Sequence, residues 1–496
     1  MKKITALILT LLLLFTFASC SQPADNDQTV TENSDPAPQS GYILSDEVAE
    51  ESIIDGVMTD ISGSDEILKK SVAAWADTCV MYEVNIRQFT EEGTFAAFEG
   101  HLDRLKDMGV NTLWLMPIHP ISETERKGTL GSYYAVSDYK AVNPEFGTMD
   151  DFKHLLEKAH GMGFKVLLDW VANHTGWDCA WINEHPDWYV RNKSGEIESP
   201  YDWTDTAQLD YENYEMRAEM IRCMQFWVED IGVDGFRCDH ALGVPAPFWN
   251  AAVYKLKSVN SEILMLAEAS ANRSMTKYAF DCCYNDQLYG QATMVQGGIG
   301  TSSVKEGMAL SDSYAEGSFP MNYLDNHDKN SYEGSIVERF GDTYPTLLTL
   351  TFLTPGIPML YTSDEQGYDH EIEFFEKDTV KWDGAPKYAD QIRTLAQLKQ
   401  TNPALATSNT AITFCESGNE NAFAFTRENG SDKVIFVSNL LYNELKGADV
   451  EPDFDSAVCV MHYDGASLDL TEKEMSADDF KNRDYRPYEY FVLVAK

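Results

Sequence analysis

Apolar positions between residues 80 and 361 follow two alternating rhythms. Short runs rich in β-branched and other apolar residues recur at 80–87, 111–118, 165–171, 234–239, 263–268, 279–284, 319–324 and 357–361. Between most of them lie stretches with apolar residues at helical spacing, as at 95–108, 149–162, 214–230, 247–258 and 388–400. Parallel strands need a crossover helix to return the chain and cover the sheet's outer face, so eight such units predict an α/β fold, a (β/α)8 TIM barrel. The sixth unit carries the weakest signal.

Three segments depart from the rhythm. After about residue 401 the runs at 422–426, 433–438, 457–462 and 488–494 alternate or run apolar without helical spacing. That predicts a C-terminal antiparallel, β-sandwich-like domain over 401–496. Residues 42–78 carry Ile53, Ile54, Val57, Ile61, Ile67, Leu68 and Val72 at irregular helical spacing, a helical extension at the front of a barrel body spanning 42–400. The connection between His174 and Asn213 is too long for a βα loop and holds Trp177, Trp181, Trp188, Tyr189 and Trp203. Residues 175–212 are therefore expected to form a short inserted loop domain after strand 3. Its aromatics either fill a local core or present flat faces to a ligand.

The chain opens with Lys2 and Lys3, an apolar run Ile4–Phe17 and the small-residue stretch Ala18-Ser19-Cys20. The run falls short of the ~20 residues that span a bilayer, so 1–20 reads as a signal peptide. Its ending resembles a bacterial lipoprotein signal, which implies lipidation of Cys20 and an exported protein held at the cell envelope by a lipid anchor alone. Residues 21–41, rich in Ser, Thr, Pro, Asn and Asp, are expected to be a flexible linker. Eight cysteines follow Cys20 with no Cys-x-x-Cys pair and no zinc-like Cys/His spacing. They read as buried free thiols, with one or two bridges the alternative in an exported chain.

Charge narrows the partners. Against 38 Lys+Arg stand 80 Asp+Glu, a net −42 over 496 residues. Phosphate and anionic lipid both need excess cation, so nucleic acid and direct membrane adsorption are excluded. A neutral or cationic small ligand remains, and the body is expected to act as a monomer.

In a (β/α)8 barrel the C-terminal strand ends build the site. Strand 3 ends Asp169-Trp-Val-Ala-Asn173-His174, strand 4 Gly235-Phe-Arg237-Cys-Asp239, strand 5 Leu266-Ala-Glu268 and strand 7 Leu324-Asp325-Asn326-His327-Asp328. Strands 4, 5 and 7 thus each end on a carboxylate at one rim. Glycoside hydrolysis needs two: one kept ionised, one kept protonated. Arg237, two residues before Asp239 and on the same strand face, is expected to lower the Asp239 pKa. The apolar run before Glu268 is expected to raise the pKa of that group.

These four motifs, in this order and on these strands, resemble those of the alpha-amylase family, glycoside hydrolase family 13, from about residue 78 to the C-terminus. The resemblance implies Asp239 as nucleophile, Glu268 as general acid/base and Asp328 as transition-state stabiliser. It assigns His174 and His327 to sugar hydroxyls, Arg237 to orienting Asp239, and Tyr134, within Gly131-Ser-Tyr-Tyr-Ala-Val-Ser-Asp138, to a platform under the sugar. The implied activity is retaining cleavage of α-1,4-glucosidic bonds in starch-like glucans or maltooligosaccharides. An α-glucan transglycosylase, an α-glucosidase or a non-catalytic surface glucan-binding protein are the alternatives on the same scaffold. Many members carry Lys-His three and four residues after the nucleophile. Here Leu242 and Gly243 stand there, and His240 directly follows Asp239. No cofactor is required. Calcium is the one candidate, with Asn173 at a ligand position, but Gln208 stands where an Asp is expected and the ligand set is incomplete. A metal-dependent barrel hydrolase using Asp169, His174, His240, His327 and Asp328 is disfavoured, because 80–87 carries no histidine.

Overall fold

A computed structural model of the protein describes residues 72–495, apart from positions 297, 299–301, 310–313, 418 and 420–421. The expected signal peptide, the lipidation site Cys20, the linker and most of the helical extension lie outside the described residues.

Eight parallel strands close a barrel in chain order. They are β1 (Met81–Val84), β2 (Thr112–Leu115), β3 (Lys165–Trp170), β4 (Gly235–Cys238), β5 (Leu264–Ser270), β6 (Cys282–Tyr284), β7 (Phe319–Asn322) and β8 (Ile357–Tyr361). The weak sixth unit is real, with the three-residue β6 followed by a helix over Asp286–Gln296. The helix α1 (Met149–Gly161) illustrates the packing. A Thr148/Asp151 capping box starts it, and Phe152, Leu155, Leu156 and Ala159 bury one face against the barrel.

Several expected elements are shorter than the pattern predicted, two of them for visible local reasons. The first strand stops at Val84 because the Asn85 side chain accepts a hydrogen bond from Gln88 N and caps a helical turn over Ile86–Phe89. The 95–108 stretch breaks at Gly100 into helices Phe95–Glu99 and Leu102–Asp107. The helix after the insertion, α2 (Tyr214–Gln225), widens into a π-helical turn over Phe226–Ile231 and stops at Gly232, φ 93°.

The C-terminal region is antiparallel. Strands β9 (Ala422–Asn429), β10 (Asp432–Asn439), β11 (Ser456–Tyr463) and β12 (Tyr490–Ala495) form its main sheet in the order β9-β10-β12-β11. Period-2 alternation gives the sheet two jobs. Phe423, Phe425, Val434, Phe436, Tyr490 and Val492 join the barrel's core. Their alternates Ala424, Ile435, Val437, Phe491 and Leu493 form a second core with Phe480 and Tyr485. All eight described cysteines are free, seven of them buried.

Within the insertion, His174–Gly176 pairs antiparallel with Thr206–Gln208. Trp188 and Tyr189 are buried, Trp181 stacks on Tyr139, and Trp203 faces the site. The insertion's aromatics therefore divide between the two expected roles.

Candidate active site

Register places the chemistry. Arg237 on β4 pairs with Asp169 on β3 and with Leu266 on β5. Two residues further on, Asp239 and Glu268 stand level on adjacent strands, about 4.8 Å apart by ordinary sheet spacing.

Arg237 is fully buried and holds the cluster together. Its Nη1 donates to Asp169 Oδ1 and to Asp239 Oδ1, both at 2.9 Å, and its Nε donates to Tyr284 Oη at 3.1 Å. Nη2 lies 3.0 Å from Glu268 Oε1, as an ion pair. The other Glu268 oxygen accepts from His240 N at 2.6 Å. Arg237 pulls the Asp239 pKa down as expected, but the net direction is the opposite of the one expected. Burial, and then the Glu268 charge, raise it well above the usual carboxylate range. Burial contributes most, and one guanidinium shared among three carboxylates does not offset it, so the cluster favours keeping a proton.

A second hydrogen-bonded chain runs beneath the rim. Tyr134 Oη donates to Asp169 Oδ2 at 3.0 Å, and Trp114 Nε1 donates to the same oxygen at 3.1 Å. His327 bonds Tyr134 Oη through Nε2 (2.8 Å) and Glu83 Oε1 through Nδ1 (2.5 Å). Burial alone would lower the His327 pKa, but the Asp328 and Glu83 carboxylates raise it to about 9. As an imidazolium it donates at both nitrogens, which the two bonds require. Asp328, 3.5 Å from His327 Nε2, is the most exposed of the three rim carboxylates. His174 behaves oppositely. Burial and His240 lower it to about 3. Its Nδ1 contacts Asn173 Nδ2 at 3.2 Å, so Nδ1 accepts and Nε2, buried and unpartnered, carries the proton.

These groups line one cavity of about 320 Å³. Tyr134, His174, Asp239, Glu268, His327 and Asp328 all face it. Arg237 lies beneath its floor. The described residues expected to act on the sugar are thus brought together; Cys20 lies outside the described residues.

Residues 83–208 match the model of the alpha-amylase catalytic domain. Over those residues the chain is similar to the alpha-amylase catalytic domain. It is 27% identical over 423 residues to the alpha-amylase MalA of Haloarcula japonica, a match covering 80% of this chain and 61% of that protein. It is 33% identical over 230 residues to an alpha-1,4-glucan:maltose-1-phosphate maltosyltransferase of Rhodospirillum rubrum, covering 41% of this chain and 32% of that protein. Its fold superposes on the crystal structure of an alpha-amylase from Lactobacillus plantarum with a TM-score of 0.74 and 28% identity, over 85% of this chain and 99% of that one.

The donors at Asn173 do not fit calcium. Gln208 Nε2 donates to Asn173 O (3.0 Å) and to Asn173 Oδ1 (3.2 Å). The two oxygens a cation needs thus face an amide N–H. Among the described residues no cluster of three or more His, Cys, Asp or Glu is arranged to hold a metal ion.

Sequence reasoning missed several site residues. Asp169, expected only as a metal ligand in the disfavoured reading, joins Arg237, Tyr134 and Trp114. Glu83, Trp114 and Tyr284 went unnoticed. The signal for Glu83 was present: a lone acid inside an apolar strand run. Lys127, Asp205 and Phe374 reach the cavity from loops whose sequence carries no motif.

Proposed function

We propose that the protein is a retaining glycoside hydrolase acting on α-1,4-glucosidic bonds of starch-like chains or maltooligosaccharides. The observation that carries this reading is the level pair Asp239 and Glu268, both within 3.0 Å of one buried guanidinium. The spacing of adjacent strands, ~4.8 Å, suits the ~5–5.5 Å carboxyl separation that double displacement needs. The Asp239 carboxylate attacks the anomeric carbon while the Glu268 carboxylic acid gives its proton to the departing glycosidic oxygen. A water then cleaves the glycosyl ester, and Glu268 takes its proton. Arg237 orients Asp239, and Tyr134 lies under the sugar. His174 Nε2 donates to a sugar hydroxyl, the His327 imidazolium fixes Tyr134 through its own two bonds, and Asp328 stabilises the cationic transition state.

The likeness to a maltosyltransferase supports a second reading, in which a sugar hydroxyl intercepts the same glycosyl-enzyme. Incubation with maltoheptaose, followed by NMR, tests both. New α-anomeric reducing ends are expected. β-Anomers or no new products contradict the proposal, and products longer than the substrate favour transfer.

The same reading extends to location: a monomeric, exported enzyme tethered through lipidated Cys20. Labelled palmitate incorporated by the wild type and not by Cys20→Ala is the expected result, and no incorporation by either removes the tether.

A further inference from the structure

Three loops meet at one end of the cavity, and their places in the chain fix which end it is. In the closed ring β5 stands opposite β1. Glu268 lies on β5, whereas the loop containing Lys127–Gly131 follows β2 and that containing Phe374–Glu376 follows β8, the two neighbours of β1. These two loops are stitched together. Leu130 N donates to Phe375 O at 3.0 Å, and Thr129 N donates to Glu376 Oε1 at 2.9 Å. The Thr129 hydroxyl adds a bond to the same carboxylate. Arg87, just past β1, donates to Leu130 O and Gly131 O, each at 3.1 Å. Gly128 has φ 62°, and a Cβ there would fall 2.5 Å from Phe375 Cβ. Only glycine allows so close an approach. The insertion supplies the third contact. Lys127 Nζ lies 3.0 Å from Asp205 Oδ1, and both residues line the cavity. At about 320 Å³ the cavity sits at the small end of the ~300–1,000 Å³ common for ligand pockets.

We infer that this stitched wall closes the site beyond the cleavage point, so that the enzyme takes glucan chains by their non-reducing ends and releases short products from them. The inference rests on the hydrolase reading above. Glu268 protonates the leaving oxygen, so the reducing-end portion departs on the β5 side. The glycosyl portion carried by Asp239 points toward the wall. A chain threaded through the site would have to pass between Lys127 and Asp205, or part the two loops. Lys127, Asp205 and Glu376 are therefore specificity-determining residues.

The test compares maltoheptaose with maltoheptaose whose non-reducing terminal 4- and 6-hydroxyls are capped as an ethylidene acetal. The wild type is expected to cleave the capped compound at least ~100-fold more slowly. In the variant Lys127→Ala/Glu376→Ala the gap is expected to shrink below about tenfold, because Lys127 lines the cavity and Glu376 ties the Thr129 loop into the wall. Equal wild-type rates on both compounds would overturn the chain-end proposal and leave the hydrolase reading intact. An undiminished gap in the double variant would overturn the assignment to this wall. Cleavage of neither compound would overturn the hydrolase reading itself, and the proposal with it.

Discussion

Arg237 and Lys399 are both buried cations, and their surroundings differ in kind. Arg237 faces Asp169, Asp239 and Glu268. Burial works against its charge, but Asp169 and Glu268 hold its pKa well above the usual guanidinium value. Lys399, on the helix Ala389–Thr401, donates instead to Gly356 O (3.0 Å), Leu405 O (2.6 Å) and the Thr407 hydroxyl (2.8 Å). Burial, and then nearby Arg427, push it down to about 7. Arg427 itself ties the C-terminal sheet to the barrel through Leu353 O at 2.9 Å. A cation among carboxylates organises groups that must change protonation during a reaction. A cation among neutral oxygens satisfies buried acceptors at a joint and has no chemistry to do.

The comparison breaks if the two clusters answer mutation alike. Asp239→Asn is expected to lose at least ~10⁴-fold in kcat with its thermal midpoint nearly unchanged. Glu268→Gln should lose about 10²–10⁴-fold, and least on substrates with a good leaving group, which need no protonation. Steady-state kinetics on a glucan and on an aryl glycoside measure both. At the joint, Lys399→Met leaves Gly356 O and Leu405 O without their donor and should cost about 2 kcal/mol of stability. Activity per folded molecule should not change, and denaturant titration beside a kinetic assay separates the two effects.

pH sharpens the contrast, because the two regions carry opposite signs. His327 is raised to about 9, above its unfolded value near 6.5. Its stabilisation is full below about 6.5 and disappears as pH rises through 9. Lys399 is lowered to about 7 from 10.5. The unfolded chain then binds more protons between those values, so the Lys399 penalty is full below 7 and fades as pH climbs toward 10.5. Thermal midpoints across pH 6–10, taken as wild type minus His327→Gln and wild type minus Lys399→Met, should therefore slope in opposite directions.

The smallest expected effect is at Glu83→Gln. The amide keeps the geometry beside His327 but removes a charge that holds the imidazolium. The alkaline limb of kcat/KM should move down from about 9 toward neutrality, while kcat at pH 6 changes by less than about threefold. An unmoved limb would leave Glu83 a structural partner only.

How much of this was legible in the sequence follows from where each interaction lies. Strand–helix periodicity and the C-terminal alternation are local, and they predicted the barrel and the terminal sheet. Asp239, Glu268 and Asp328 were legible because each ends a strand within a short motif. The Arg237 electrostatics were not. Asp169 and Glu268 reach that guanidinium from two other strands, so the Arg237-Cys-Asp239 spacing alone suggested the wrong direction for Asp239. The Glu83–His327 bond, and the loops joining Lys127 to Asp205 and Thr129 to Glu376, likewise connect residues far apart in the chain. Only the closed barrel brings them together. The calcium position failed for a local reason, since Gln208 donates where a carboxylate would accept.

The central claim is that Asp239 carries the glycosyl group during turnover, and trapping tests it most directly. The protein is incubated with a 5-fluoro-α-glucosyl fluoride, which forms the ester quickly and hydrolyses it slowly, and is then read by intact and peptide mass spectrometry. The account predicts one fluorosugar per chain, on the peptide containing Asp239, and none in Asp239→Asn. An adduct on another residue, or an adduct that persists in Asp239→Asn, would contradict it.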